Sequence, residues 1–344
     1  MNLEKCKSKW IGCGVRVMKI FVFNYRKDDE EEFFDLFSKQ YNVTLGISEK
    51  TPTVKTAMLA KGYDCISVIT SKIDAPILEV FKEAGVKFIS TRTIGYDHID
   101  LEKAKELGIK VGNATYSPSS VADYAIMLIL MSLRKIKLIL DRSSYQNFKL
   151  DGVRGRELPK LTVGVIGTGR IGSCVIEHLS GFGCKILAYD LYESEKVKEY
   201  ATYVTLNELI AESDIITLHA PSTDENFHLI NEETLKRMKN QVVIVNTARG
   251  SLIDTNALIE AIEQGKIGAA ALDVIEDEGH IYYKDYNAKI IHNRELLLLK
   301  SYPNVILTPH TAFYTEQAVS DMVENSIKSC ILFLEEKENP WEVA

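Results

Sequence analysis

The sequence predicts an α/β protein built as two doubly wound parallel-sheet domains with a cleft between them. Three observations carry this expectation. Short β-rich runs alternate with helix-like segments along most of the chain, the pattern of parallel strands joined by crossover helices. The runs form two series, one from 19 to 113 and one from 161 to 308, separated by a long helical stretch over 119–140. Several runs are continuously apolar rather than alternating, as in VVIVN at 242–246, which marks strands covered on both faces.

In the first series the strands are expected at 19–23, 42–47, 65–69, 87–92 and 109–113. Between them lie helical patterns such as DAPILEVFKEA at 74–84, with Asp74 at the cap position and Gly85 as the stop. Ser117-Pro118 is the entry signal for the separating helix. The second series places strands at 161–167, 185–189, 214–219, 242–246, 269–274 and 304–308. One amphipathic helix, roughly 315–336, remains after Pro309 without a strand partner in that series, so it is assigned back to the first domain. The expected organisation is a substrate domain at 18–116 plus 313–344, an inserted nucleotide-binding domain at 117–312, and a leader at 1–17.

Composition agrees with this plan. At roughly 100–200 residues per domain, 344 residues suit two domains. With 46% hydrophobic and 26% charged residues, the chain has the make-up of a folded globular protein. The net charge of −7 argues against the basic face that nucleic acid or an anionic membrane requires, so neither is an expected partner. No segment approaches the ~20 apolar residues of a membrane span. The leader carries positive charge without the roughly 7–15-residue apolar run of a signal peptide. Cysteines stand at 6, 13, 65, 174, 184 and 330 with no C-x-x-C pair, which points to reduced thiols in the cytoplasm. Cys6 and Cys13 have no His or third Cys beside them, and no metal site is expected.

The strongest motif is LTVGVIGTGRIG at 161–172, a G-x-G-x-x-G turn between an apolar strand and a helix pattern. Gly167 permits the tight turn, Gly169 lets backbone approach a pyrophosphate, and Gly172 lets helix and strand pack closely. The helix start at Arg170 and Ile171 then offers unpaired N–H groups and a positive dipole end to phosphates. The next strand, CKILAYD, ends in Asp190, 18 residues beyond Gly172. An acid there accepts from ribose hydroxyls and repels a 2′-phosphate, which selects NAD over NADP. Arg170 could weaken that selection by binding phosphate. The alternative is a glycine-rich turn with a solvated acid. Two Rossmann-like domains, the second of them binding NAD, are thus expected.

Three later segments end strands with reactive side chains. Asn246-Thr247-Ala248-Arg249-Gly250 closes one strand, Asp273-Val274-Ile275-Glu276-Asp277-Glu278 the next, and Thr308-Pro309-His310-Thr311 the last. In an open parallel sheet ligands bind beyond the carboxyl ends of the strands. Reduction of a 2-oxo acid needs this set of groups. Histidine donates a proton near neutral pH, a carboxylate beside it holds the imidazolium form, and an arginine fork binds a carboxylate and polarises the ketone. Taken singly, each has a structural reading: an ion-pair arginine, a solvated acid, a turn histidine. Chemistry alone does not separate Glu276 from Glu278.

Over nearly all of 19–336 the sequence resembles the D-isomer-specific 2-hydroxyacid dehydrogenase family, and within it the D-lactate dehydrogenases, including the vancomycin-resistance branch. The matching segments are TRTIGYDHIDL (91–101), YSPSSVADYA (116–125), VGVIGTGRIG, NTARGSLIDT, ALDVIEDE and NVILTPHTAFYTEQA (304–318). The resemblance implies NADH-dependent reduction of a 2-oxo acid, pyruvate first among them, to the D-2-hydroxy acid. In that scheme Arg249 binds substrate, Glu278 assists the histidine and His310 is the acid/base. The Ile94-Gly95 backbone grips the substrate carboxylate, and Tyr116 and Phe313 line the pocket. Asp273 is expected as a structural acid at the nicotinamide end. The cofactor-binding set is Gly167, Gly169, Arg170, Ile171, Gly172, Asp190, Ala220, Pro221, Thr247, Ala248 and Asp273. A homodimer built on the inner domain is also implied. The leader and the stretch GHIYYKDYNAKIIH at 279–292 depart from the family pattern, and the tyrosines of that stretch are expected to cover the sheet edge rather than touch substrate. Rival readings are a dehydrogenase for a bulkier 2-hydroxy acid or for 3-phosphoglycerate, and an NAD-sensing corepressor.

Overall fold

The computed structural model describes residues 18–344. The leader, with Cys6 and Cys13, lies outside the described residues. In chain order the elements are β1 (Met18–Val22), α1 (Lys27–Gln40), β2 (Val43–Ile47), β3 (Cys65–Val68), α2 (Ala75–Ala84), β4 (Phe88–Thr91), α3 (Leu101–Glu106) and β5 (Lys110–Gly112). There follow α4 (Ser119–Leu133), α5 (Ile136–Ser144), β6 (Thr162–Ile166), α6 (Arg170–Ser180), β7 (Lys185–Tyr189), α7 (Glu195–Lys198), β8 (Thr202–Tyr203), α8 (Leu206–Glu212) and β9 (Ile215–Leu218). The last elements are α9 (Glu232–Arg237), β10 (Val242–Asn246), α10 (Thr255–Glu263), β11 (Ile267–Leu272), α11 (Arg294–Ser301), β12 (Val305–Leu307) and α12 (Glu316–Leu334).

The chain divides into two compact units: one runs up to Ser117 and resumes over Thr315–Ala344, and the other is Pro118–Tyr314. Phe313 and Tyr314 therefore stay with the second unit, two residues past the expected return. The Ala312 amide is held by Asp273 at 2.9 Å and the Tyr314 amide by the Thr311 carbonyl at 2.9 Å, before Thr315 caps α12 through the Ala318 amide.

The first unit is a parallel sheet in the order β2-β1-β3-β4-β5. This is the 2-1-3-4-5 order of flavodoxin-like sheets. Strands β3 and β4 are buried throughout, as their apolar runs require. The terminal helix α12 packs against β1, β3, β4 and α1, where Phe333 stacks on Phe88 at 4.9 Å and Ser326 meets Ser67 at 2.7 Å. Helix α2 is capped by Gly85 in the left-handed conformation, but Asp74 holds the N-cap position without a side-chain hydrogen bond. A fully buried ion pair lies inside this unit. Arg92 Nε bonds Glu30 at 3.0 Å, and its other nitrogens reach the Ser67 hydroxyl and the Phe23 carbonyl. Burial pushes the guanidinium pKa down while the Glu30 charge supports it. Removal of either partner would leave a buried charge unpaired, typically costing about 3–5 kcal/mol.

The second unit is a parallel sheet in the order β12-β11-β10-β9-β6-β7-β8. Numbered from β6, that is the dinucleotide-binding order 3-2-1-4-5-6 with one added edge strand. The switch point falls between β6 and β9, and ligands bind beyond such a point. The VVIVN run of β10 is buried at every position. The helical stretch expected over 119–140 is broken. Lys135 adopts φ 52° and separates α4, which is largely buried, from α5, which buries no residue. Apolar spacing continues across the break, so periodicity does not reveal it. The turn is held by Lys137, whose Nζ donates to the carbonyls of Lys300, Tyr302 and Val305 at 3.1, 2.6 and 2.8 Å. Among the described residues no helix is long and apolar enough to cross a membrane.

Candidate active site

The glycine turn lies between the end of β6 and the start of α6, which opens with Arg170 and Ile171. Gly167 has φ 91°, a conformation that favours glycine, and a Cβ there would lie 2.6 Å from the Ala220 amide nitrogen. A Cβ on Gly172 would sit 1.9 Å from the Gly167 carbonyl oxygen. Around Gly169, by contrast, nothing lies within 4 Å of the added carbon, so the cradle is open where a phosphate would approach. Asp190 follows β7 directly, and its Oδ2 accepts from the Thr168 amide at 2.5 Å and the Thr168 hydroxyl at 3.2 Å. That bond ties Asp190 to the glycine turn. Two buried polar atoms at neighbouring strand ends, His219 Nδ1 and Thr247 Oγ1, have no hydrogen-bond partner among the described residues. An open glycine cradle with orphaned polar atoms along the strand ends fits a bound dinucleotide.

Ala220 and Pro221 follow β9, and Thr247, Ala248 and Arg249 follow β10. The turn after β10 is closed by Asn246. Its side-chain Nδ2 donates to the Arg249 carbonyl at 2.8 Å, and its side-chain Oδ1 accepts from the Ala248 amide at 3.0 Å. Gly250 is there because a Cβ would lie 2.1 Å from the Ile275 carbonyl carbon, so the Arg249 turn packs directly on the loop after β11.

His310 follows β12 by three residues and sits at φ 53°. Its backbone is fixed by Asp273, which is fully buried. The Asp273 carbonyl accepts the His310 amide at 2.8 Å. Its carboxylate accepts the Thr308 hydroxyl at 2.6 Å and the amides of Thr311 and Ala312, each at 2.9 Å. Asp273, expected among the cofactor contacts, is thus committed on both carboxylate oxygens to building the histidine turn. The side chain of His310 makes a short Nδ1 hydrogen bond to Glu278, whose second oxygen accepts the Ile275 amide at 3.0 Å. Both side chains are about a quarter exposed, at 26% and 22%.

Glu276 and Glu278 have different partners. The intervening Asp277 has φ 55°, which turns the chain between them. Glu276 accepts from His228 Nε2 at 2.7 Å and from the Thr255 amide and hydroxyl at 3.0 and 2.6 Å. The 279–292 stretch also divides. Tyr282 packs against the core of this unit, and burial pushes its phenol pKa up. Tyr283 instead donates to the His310 carbonyl at 2.7 Å, with ring centroids 6.3 Å apart. Tyr282 thus joins the core of this unit, while Tyr283 is tied to the histidine turn. Phe313 stands edge-on to the His310 ring at 6.2 Å.

Ile94, Gly95 and Tyr116 belong to the first unit. The Ile94 carbonyl is held by Asn113 at 2.8 Å and the Gly95 carbonyl by the Thr93 hydroxyl at 2.6 Å. The residue before Tyr116 is anchored by Asn325 and Trp341. Arg92, His219 and His228 have no motif of their own in the sequence. Arg92 stands inside the TRTIGYDHIDL segment and His219 one residue before Ala220, so nearness to a motif was the available signal. Burial pushes the His219 imidazole down to about 3, so it is neutral at working pH.

Fold and strand-end chemistry together define an NAD-dependent dehydrogenase. Residues 126–312 match the family model for the NAD-binding domain of D-isomer-specific 2-hydroxyacid dehydrogenases. A D-specific alpha-keto acid dehydrogenase of Enterococcus faecium is 47% identical over 91% of this chain and 96% of that protein. An aromatic 2-oxoacid reductase of Clostridium sporogenes is 47% identical over 89% and 93%. Among solved structures, a D-lactate dehydrogenase from Treponema pallidum superposes with a TM-score of 0.86 at 34% identity, over 95% of this chain and all of that one. The chain belongs to the D-isomer-specific 2-hydroxyacid dehydrogenase family.

Proposed function

We propose that the protein reduces pyruvate to D-lactate reversibly, with NADH. The carrying observation is the hydrogen-bonded Glu278–His310 pair at the end of β12 in an NAD-binding domain. Bound NADH supplies the hydride that is added to the ketone carbon. Arg249 takes the substrate carboxylate and polarises the ketone through its planar fork. The family resemblance gives the Ile94-Gly95 backbone a grip on the substrate carboxylate, and both carbonyls there are held within the first unit, by Asn113 and Thr93. His310, held at Nδ1 by Glu278, donates a proton from Nε2 to the ketone oxygen as negative charge grows there. In lactate oxidation the same nitrogen takes the proton back.

A second reading, a bulkier or aromatic 2-oxo acid, is favoured by two rings beside the imidazole, Tyr283 and Phe313. The name of the Clostridium sporogenes relative points the same way. We also place the protein in the cytoplasm, where reduced thiols and NADH coexist, as a homodimer. The test is a panel of pyruvate, 2-oxoisocaproate and phenylpyruvate with NADH, scored by kcat/KM and product chirality. Preference for pyruvate with D-lactate as product supports the first reading, and preference for phenylpyruvate supports the second. L-lactate, or no turnover of any 2-oxo acid, would overturn both.

A further inference from the structure

We propose that His228 and Glu276 form a positioning pair that aligns Arg249 and Glu278 for the reaction. This inference rests on the roles proposed for those two residues in 2-oxo acid reduction.

Three loops of the second unit meet at this pair. The first runs from the end of β9 through Ala220 and Pro221 to His228. It is zipped to the segment after Arg249 by the His228 amide on the Ser251 carbonyl and the Ile230 amide on the Leu252 carbonyl, each at 2.9 Å. The Asp254 amide returns to the Ile230 carbonyl at 2.8 Å, and the hydroxyls of Ser222 and Ser251 meet at 2.8 Å. The second loop is the Arg249 turn, which continues into Thr255 at the start of α10. The third follows β11 and carries Glu276 and Glu278.

The Glu276 carboxylate joins all three. One oxygen accepts from His228 in the first loop, and the other accepts both donors of Thr255 in the second. Its own backbone lies against Gly250, where no Cβ fits. Two residues on, Glu278 bonds His310. A shift of the Glu276 side chain would thus be felt at Arg249 through Gly250 and at Glu278 through the Asp277 turn.

The pair is also held at conformational cost. His228 has φ 51°, in the left-handed region, and Phe227 stacks on its ring at 3.9 Å. Residues kept in such conformations cluster where geometry is functionally constrained. A carboxylate meant only to cap α10 would not need the imidazole, because Asp254 already accepts the Asn256 and Ala257 amides.

The experiment compares the parent with His228→Ala, Glu276→Ala, the double variant and His228→Gln, whose amide can replace the Nε2 donor. Small misplacements of reacting groups are costly, so each alanine variant is expected to lower kcat/KM for the 2-oxo acid by ~10–100-fold. The dissociation constant for NADH should change by less than about twofold. Because the residues act as one unit, the double variant should lose no more than the worse single variant. His228→Gln should recover to within about threefold of the parent. Parent-level kcat/KM in both alanine variants, losses that multiply in the double variant, or no recovery with glutamine would overturn the pair. Hydrogen exchange over residues 273–280 provides a readout without turnover. Faster exchange in the alanine variants, reversed by His228→Gln, supports the pair, and unchanged exchange overturns it. If the parent reduces no 2-oxo acid, the functional reading fails while exchange still decides the pair. If Glu276→Ala does not fold, His228→Ala and its rescue by glutamine decide the matter.

Discussion

The hydroxyl of Tyr283 donates to the backbone carbonyl of His310 across 2.7 Å, and both residues have positive φ, 63° and 53°. An aromatic residue in that region is an outlier. The bond therefore joins two conformations that neither residue adopts readily alone. Tyr283→Phe keeps the ring and removes the tether. With one hydrogen bond typically contributing about 0.5–1.5 kcal/mol, kcat/KM for the 2-oxo acid should fall by ~2–10-fold, with NADH binding unchanged. Steady-state kinetics beside a fluorescence titration of NADH measure both, and an unaltered kcat/KM would show that the tether is idle.

His310→Ala should lower kcat by ~10²–10⁴-fold, the range of a general acid. Glu278→Gln should lose less, since the imidazole stays in place and loses its anionic partner. Arg249→Lys keeps the charge and loses the fork, so KM should rise and kcat fall in the same variant. An arginine with a purely structural use would instead lower Tm and spare the kinetics. Single-turnover and steady-state rates, measured beside thermal melts, separate the cases.

Asp190 should favour NADH over NADPH by at least ~100-fold in kcat/KM, because a 2′-phosphate would approach its carboxylate. Asp190→Ser should narrow that ratio. The same change removes an acceptor of the Thr168 amide, so affinity for NADH itself should weaken. Kinetics with both cofactors test this, and equal use of the two by the parent would refute it.

His219 gives a pH dependence of stability. Its folded-state pKa is lowered to about 3 by burial, from an ordinary 6.5. The unfolded chain takes up a proton that the native state refuses, so this residue's contribution declines as pH falls from 6.5 toward 3. His219→Gln removes the effect. Melting curves between about pH 7 and pH 4.5 should show a Tm that drops by a few degrees less in the variant, and parallel curves would contradict the assignment.

The sheets were legible because doubly covered strands must be continuously apolar, and VVIVN or TVGVI has few other uses. The glycine turn was legible because close approach of backbone leaves room for no other residue. Chemistry alone did not separate Glu276 from Glu278, which only the family resemblance told apart, since both follow one strand and the left-handed Asp277 between them has no sequence mark. The break at Lys135 was hidden for a similar reason. The turn that ends α4 is held by a lysine docked on carbonyls 163 and 165 residues further along the chain. The Arg92–Glu30 pair and the His228–Glu276 pair share this property, since local sequence does not state which distant acceptor a side chain will face.

The residue proposed to move protons hangs from β12, a three-residue strand at the very edge of its sheet. Edge segments with few ladder bonds open at lower free energy than the strands behind them. Asp273, Lys137 and Tyr283 fasten this end, but β12 has a ladder partner, β11, on one edge alone. The protein should therefore have two thermal thresholds. Gentle heating or dilute denaturant would release His310 and silence turnover while β6, β9 and β10 keep their amides protected. Activity measured during a slow ramp should vanish several degrees before the far-ultraviolet signal changes, and return on cooling.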